Sequence, residues 1–236
     1  MSAEIHYSLT LANPGAHLFA VRLHVPRPDP AGQLLTLPAW IPGSYMIRDF
    51  ARNIVVLTCT HGGSAIAVEK LDKQTWRLAP VDGAVEIAYQ VYAWDLSVRA
   101  AYLDETRAYF NGTSVFLRVV GQEAMPHQVS IGLPGGLAFR DWRVATTLPA
   151  VRVDAAGTGL YQAPSYDALI DYPVEMGTQT SLMFAAAGKP HEMVIAGQHD
   201  CDQVRLGADL ERICAEHADM FGELPVDRYL FMTLAT

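Results

Sequence analysis

Histidines, carboxylates and serines are the side chains through which this chain could do chemistry, and their spacing decides what kind. A helical zinc site needs two imidazoles at i and i+4, projecting from one face, with a Glu beside the first to work on the bound water. The nearest run, His191-Glu192-Met193-Val194-Ile195, ends in Ile, follows Pro190 and alternates like a strand, so the second ligand is missing. Glu216-His217 reads as the edge of an amphipathic helix. Gly132-Leu133-Pro134-Gly135-Gly136 fails the spacing that cradles a dinucleotide and no helical pattern follows it, which leaves a turn. Ser44 and Ser114 lack the flanking glycines of a nucleophile elbow. The residues therefore point to no complete catalytic or metal site within the chain.

Two segments mix aromatic, charged and amide side chains outside any period of 2 or 3.6. One is 37–53, with Trp40, Tyr45, Arg48, Asp49, Phe50, Arg52 and Asn53; the other runs from 92–99 through 104–114, with Trp94, Asp95, Arg99, Tyr109, Asn111 and Thr113. Loops of this composition are either caps over a core, here with Arg48 and Asp49 paired, or binding surfaces. Both readings stay open on the residues alone.

The elements that hold these loops read as strands. Ile5 to Leu11 alternates, Asn13-Pro14-Gly15 turns, and His17 to Val25 returns, which predicts a hairpin. Further runs at 54–60, 74–78, 85–94, 116–120 and 127–133, separated by turn residues, predict a mostly β fold: an antiparallel sandwich or saddle-like domain over residues 1–173. Ser165 to Ile170 reads as a short helix. From 174 to 236 the pattern changes to a hairpin turning at Gly188-Lys189-Pro190, a helix over 202–221 ended by Gly222, and an apolar strand over 228–236. The helix places Val204, Leu206, Leu210, Ile213, Cys214, His217 and Phe221 mostly on one face. A core strand at the end of the sequence suggests the α+β start of a truncated domain.

Composition narrows the partners. With 17 Lys+Arg against 25 Asp+Glu the net charge is −8, which disfavours nucleic acid and anionic membrane. No apolar run approaches the roughly 20 residues of a membrane span, and the polar start at Ser2-Ala3-Glu4 is unlike a leader, so a cytoplasmic location is expected. Cys59, Cys201 and Cys214 match neither a disulfide framework nor a metal knuckle and read as reduced, buried, small hydrophobes.

The run Pro-Ala-Trp-Ile-Pro-Gly-Ser-Tyr-Met-Ile-Arg-Asp-Phe-Ala-Arg-Asn at 38–53 closely resembles the N-terminal domain of the bacterial glycyl aminopeptidase family. The blocks at 70–73, 92–99, 110–114, 141–146 and 171–177 resemble the same family in order, so the likeness runs essentially end to end. The resemblance implies a gluzincin metallopeptidase with a β-rich N-terminal domain, a thermolysin-like zinc domain and a C-terminal PDZ domain. This chain then supplies the first domain and the beginning of the second. Zinc is implied for the full-length parent, with its HExxH beyond this chain, and none is expected to bind this fragment, which should be inactive. The parent is expected to remove Gly or Ala from the amino end of peptides. By analogy with related enzymes that close their cleft with this domain, Tyr45, Arg48, Asp49, Asn111 and Thr113 are the expected cleft wall. Exposed apolar surface on 174–236 predicts self-association or partial disorder of that segment. The competing reading is a stand-alone β-sandwich module that binds a protein or carbohydrate through the aromatic loops.

Overall fold

The computed structural model describes residues 4–41 and 43–236. Its centre is an eight-stranded sheet in the order Ala150–Val153, Gly159–Ala163, His127–Gly132, Ile5–Asn13, Leu18–Val25, Val85–Tyr92, Ile54–His61, Ser64–Ile66. All its pairings are antiparallel except that of Ile5–Asn13 with His127–Gly132. The alternation read from sequence is the alternation of burial: Ile5, Tyr7, Leu9, Phe19, Val21, Leu23, Val85, Ile87, Tyr89 and Val91 all point to one dry face. The expected first hairpin forms, and its turn is a short 3₁₀ segment, Pro14–Ala16, in which the Asn13 side chain accepts from the Ala16 N–H at 3.0 Å.

Two four-stranded sheets complete this region. One joins Arg118–Val119, Leu34–Thr36, Thr75–Leu78 and Val68–Lys70; the other joins Arg143–Ala145, Val174–Gly177, Arg107–Phe110 and Ala101–Leu103. Three buried tyrosines lock the segment between them. Tyr89, Tyr166 and Tyr7 donate to the consecutive carbonyls of Val115, Phe116 and Leu117 at 2.9, 2.7 and 2.6 Å, and burial pushes all three phenols up. Each hydroxyl satisfies a carbonyl that water cannot reach, so a bare stretch of main chain crosses the core without a polar penalty. The short helix Tyr166–Ile170 that delivers Tyr166 is capped as its sequence predicts, with Ser165 Oγ accepting from the Ala168 N–H at 3.1 Å.

The change of sheet comes at Thr178, because Val174–Gly177, just beyond the division expected after 173, still hydrogen-bonds into the first region. Beyond it, Gln179–Ala186 and Lys189–Ala196 form a hairpin and Tyr229–Leu234 adds in parallel after the helix Gln203–Phe221. The turn is Ala187-Gly188, both at positive φ, one residue earlier than the expected Gly188-Lys189-Pro190: a two-residue turn with both φ positive matches the twist of the strands. The helix has the predicted caps, Asp202 and Gly222. Its inward stripe differs from the expected face, because three strands cover only a narrow strip: Leu206, Gly207, Leu210, Cys214 and Ala218 are covered, while Val204, Ile213 and Phe221 from the predicted face lie exposed. Of the cysteines only Cys59 is buried; Cys201 and Cys214 are partly open. No helix among the described residues is long and apolar enough to cross a membrane.

Candidate functional site

The loop over 38–53 is folded back on itself by local bonds and anchored by two residues. Arg48 N–H donates to the Ala39 carbonyl at 2.7 Å, Ser44 N–H to the Ile41 carbonyl at 3.1 Å, and the Trp40 indole to the Ser44 carbonyl. Phe50 and Ala51 drop into the core at the start of a 3₁₀ turn, Phe50–Asn53, and hold the base of the loop. The tip is left outward, with Tyr45 fully exposed and Met46 and Ile47 largely so. Pro42 lies outside the described residues.

Arg48 and Asp49 do not pair with each other. Asp49 sits at φ 48° and its Oδ1 is 2.7 Å from Lys73 Nζ, while Arg48 Nε is enclosed with no partner. Asn111 and Thr113 lie beneath the loop rather than on its surface. The Asn111 side chain accepts from the Thr113 N–H at 3.1 Å, Ser114 Oγ donates to the Asn111 carbonyl at 2.7 Å, and the resulting turn, Gly112–Ser114, packs under Phe50–Asn53. Gly112 is required here, since a Cβ would stand 2.8 Å from the Ile170 backbone. Both side chains are buried, so they lie behind the exposed surface of the loop and not on it.

The two loops singled out by composition do meet. Arg52, Asn53 and Asp95 line two adjoining recesses: a small one closed by Ile47 and Arg48, and a larger one of about 450 Å³ walled by Tyr92, Trp94 and Tyr102. Trp94 is half-exposed and sandwiched, with the His17 ring at 3.8 Å and the Tyr102 ring at 4.9 Å and 22°. His17 is fixed by its Nδ1 on the Leu103 carbonyl at 2.7 Å, and Tyr102 by donating to Asp104 Oδ2 at 2.7 Å. Burial and that bond to Asp104 push the Tyr102 phenol up to about 12. An aromatic ledge beside a cation, an amide and a carboxylate can take an apolar group against its exposed ring edges and hydrogen-bond polar groups next to it. Arg52, Asn53, Trp94 and Asp95 belong to the two loops marked by composition but lie outside the expected cleft wall. His17 and Tyr102 carried no local signal, because they reach Trp94 only through strand pairing.

Next to this ledge, Leu96 and Val98 face the strand Tyr229–Leu234 across a groove floored by Arg107 and Glu175. Arg107 grips Glu175 with two bonds, Nε to Oε1 at 2.8 Å and Nη2 to Oε2 at 2.6 Å, and lies over the rings of Tyr102 and Tyr109. Burial pushes the Glu175 carboxyl up to about 7, while the Arg107 fork pulls the other way. Among the described residues no group of three or more His, Cys, Asp and Glu is arranged to hold a metal ion, so these side chains do not fit a zinc site.

Fold and surface together define a β-rich domain, leading directly into an α/β unit, that presents a walled aromatic face along the junction. The chain belongs to the M61 peptidase family: the model of the peptidase M61 N-terminal domain matches residues 6–178. A crystal structure of an aminopeptidase N family protein from Idiomarina loihiensis is 40% identical, with a TM-score of 0.95 over 98% of this chain. This chain spans 39% of that protein's length. The M1 zinc metallopeptidase from Deinococcus radiodurans is 12% identical, with a TM-score of 0.53 over 97% of this chain and 55% of its own, and a mutant of it bound to a Tyr-Ser-Ala substrate matches similarly at 0.54. At that identity the likeness is one of fold. No curated protein matches the chain.

Proposed function

We propose that this chain is the non-catalytic leading portion of a cytoplasmic zinc aminopeptidase that removes Gly or Ala from the amino end of peptides, in a parent that also carries a PDZ domain. The observation that carries this reading is the Idiomarina relative, which matches this chain almost end to end yet is much longer. On this reading zinc is placed by residues outside the chain, and the division expected after 173, which the strand pairing carries on to Gly177, separates a cleft-closing domain from the start of the catalytic domain. Tyr45, Arg48 and Asp49, together with Arg52, Trp94 and Asp95, form the wall that faces the peptide, and Asn111 and Thr113 hold that wall in place. Enclosing a peptide in this way strips water from its polar groups, which then need fixed partners of the kind Asp95, Asn53 and Arg52 provide.

The test is hydrolysis of alanyl and glycyl chromogenic substrates, with added zinc, by this chain and by one extended through the expected zinc helix. Turnover in the extended chain alone is the expected result. Turnover by the short chain overturns the assignment.

A further inference from the structure

Outside the wall, the connection between the strand Lys189–Ala196 and the helix Gln203–Phe221 brings three reactive groups into line. Cys201 Sγ lies 3.1 Å from His199 Nδ1, and His199 Nε2 lies 3.0 Å from Thr180 Oγ1 on the neighbouring strand Gln179–Ala186. A nucleophile bonded to a base that a third group orients is the general arrangement of an activated nucleophile. With the Nε2–H directed to the Thr180 oxygen, Nδ1 is left as an acceptor aimed at the sulfur.

The connection is pinned at both ends. Gly197, at φ 91°, passes so close to the Ala235 carbonyl that a Cβ would stand 2.1 Å from it, and the Ala235 N–H donates to the Ala196 carbonyl at 2.9 Å. At the other end Asp202 Oδ1 accepts from the Arg205 N–H at 3.1 Å. Cys201, His199 and Thr180 are all partly open to solvent. The other two thiols have no such setting: Cys59 is buried, with its thiol pushed up to about 11, and burial also pushes up Cys214 on the helix.

The geometry points to Cys201 as a reactive thiol with His199 as its base and Thr180 as the positioning residue, a modification site for small electrophiles and peroxides. With iodoacetamide an S–C bond forms, the C–I bond breaks, iodide leaves and the thiol proton passes to His199 Nδ1. With hydrogen peroxide the sulfur takes one oxygen as the O–O bond breaks. The thiol is oxidised to a sulfenic acid, and the departing hydroxide takes the proton from His199 as water.

The experiment is alkylation of the folded chain with iodoacetamide at neutral pH, each cysteine followed by peptide mass spectrometry. Cys201 should react about tenfold faster than Cys214. His199→Gln and Thr180→Val should bring it down to the Cys214 rate, and Thr180→Ser should keep it fast. Labelling of Cys59 reports any variant that has unfolded. Equal rates for Cys201 and Cys214 in the unaltered chain, or a Cys201 rate indifferent to both His199→Gln and Thr180→Val, overturn the assignment.

Discussion

The region up to Gly177 and the region after it solve the same burial problem to different degrees. In the first, strand after strand puts its alternate apolar residues on a covered face, and even the main chain crossing the core has its carbonyls met by tyrosine hydroxyls. In the second, three strands and one helix leave Val204, Ile213, Met220 and Phe221 facing solvent. The contrast teaches that amphipathicity is a property of a segment, while completeness is a property of its neighbours: the helix has good caps and a clear apolar content, yet its sheet is too narrow to cover it.

Six substitutions sharpen or break that contrast. Phe116→Ala, in the middle of the Tyr7 and Phe110 rings, should cost about 3–5 kcal/mol in urea unfolding. Phe221→Ala on the open helix face should change stability by under about 0.5 kcal/mol. Equal costs would erase the difference between the regions.

Arg107→Met should cost about 3–5 kcal/mol at pH 8 by leaving the enclosed Glu175 carboxylate without its partner, and less at pH 5, where protonation relieves it. In the unaltered chain the folded Glu175 titrates near 7, above an unfolded glutamate at about 4.3. Its contribution to stability is therefore complete below the unfolded value and lost as pH rises through the folded one. Glu175→Gln should remove that loss, checked by unfolding midpoints between pH 4 and 8 as a rough range.

Tyr166→Phe should cost about 1–3 kcal/mol, because the Phe116 carbonyl is left buried and unmet. The smallest effect on folding and the clearest on association should come from Phe221→Ser: stability within about 0.5 kcal/mol of the parent, but less self-association in sedimentation, which the exposed face otherwise favours.

Much of this was readable from local pattern. The alternation of Ile5 to Leu11 and Val85 to Trp94, the Asn13-Pro14-Gly15 turn, Ser165 ahead of a short helix, and the Asp202 and Gly222 caps are all signals carried within a few residues, and each element stands where its signal put it. The turn at Ala187 was missed by one position because a non-glycine at positive φ gives no warning in sequence. The site was only half legible. Composition marked both loops, but whether Asn111 and Thr113 face outward or inward depends on Gly112 meeting the Ile170 backbone far along the chain. The stacking of His17 on Trp94 likewise exists only once Leu18–Val25 and Val85–Tyr92 have paired.

The parallel pairing of Ile5–Asn13 with His127–Gly132 sets the order in which this domain can assemble. One edge of the first strand finds its partner at once, across the hairpin, but the other must wait until more than half the chain has left the ribosome. Until then a row of main-chain donors and acceptors at what will become the middle of the sheet is paired with water alone, and any early intermediate carries it as an open edge. Closing so long a loop before its contacts repay the lost entropy makes folding slow, in the millisecond-to-second range of about 10⁻³ to 1 s typical of non-local β folds. The middle of the sheet thus closes late, when His127–Gly132 joins the strand that begins it, and Gly159–Ala163 and Ala150–Val153 extend that edge afterwards.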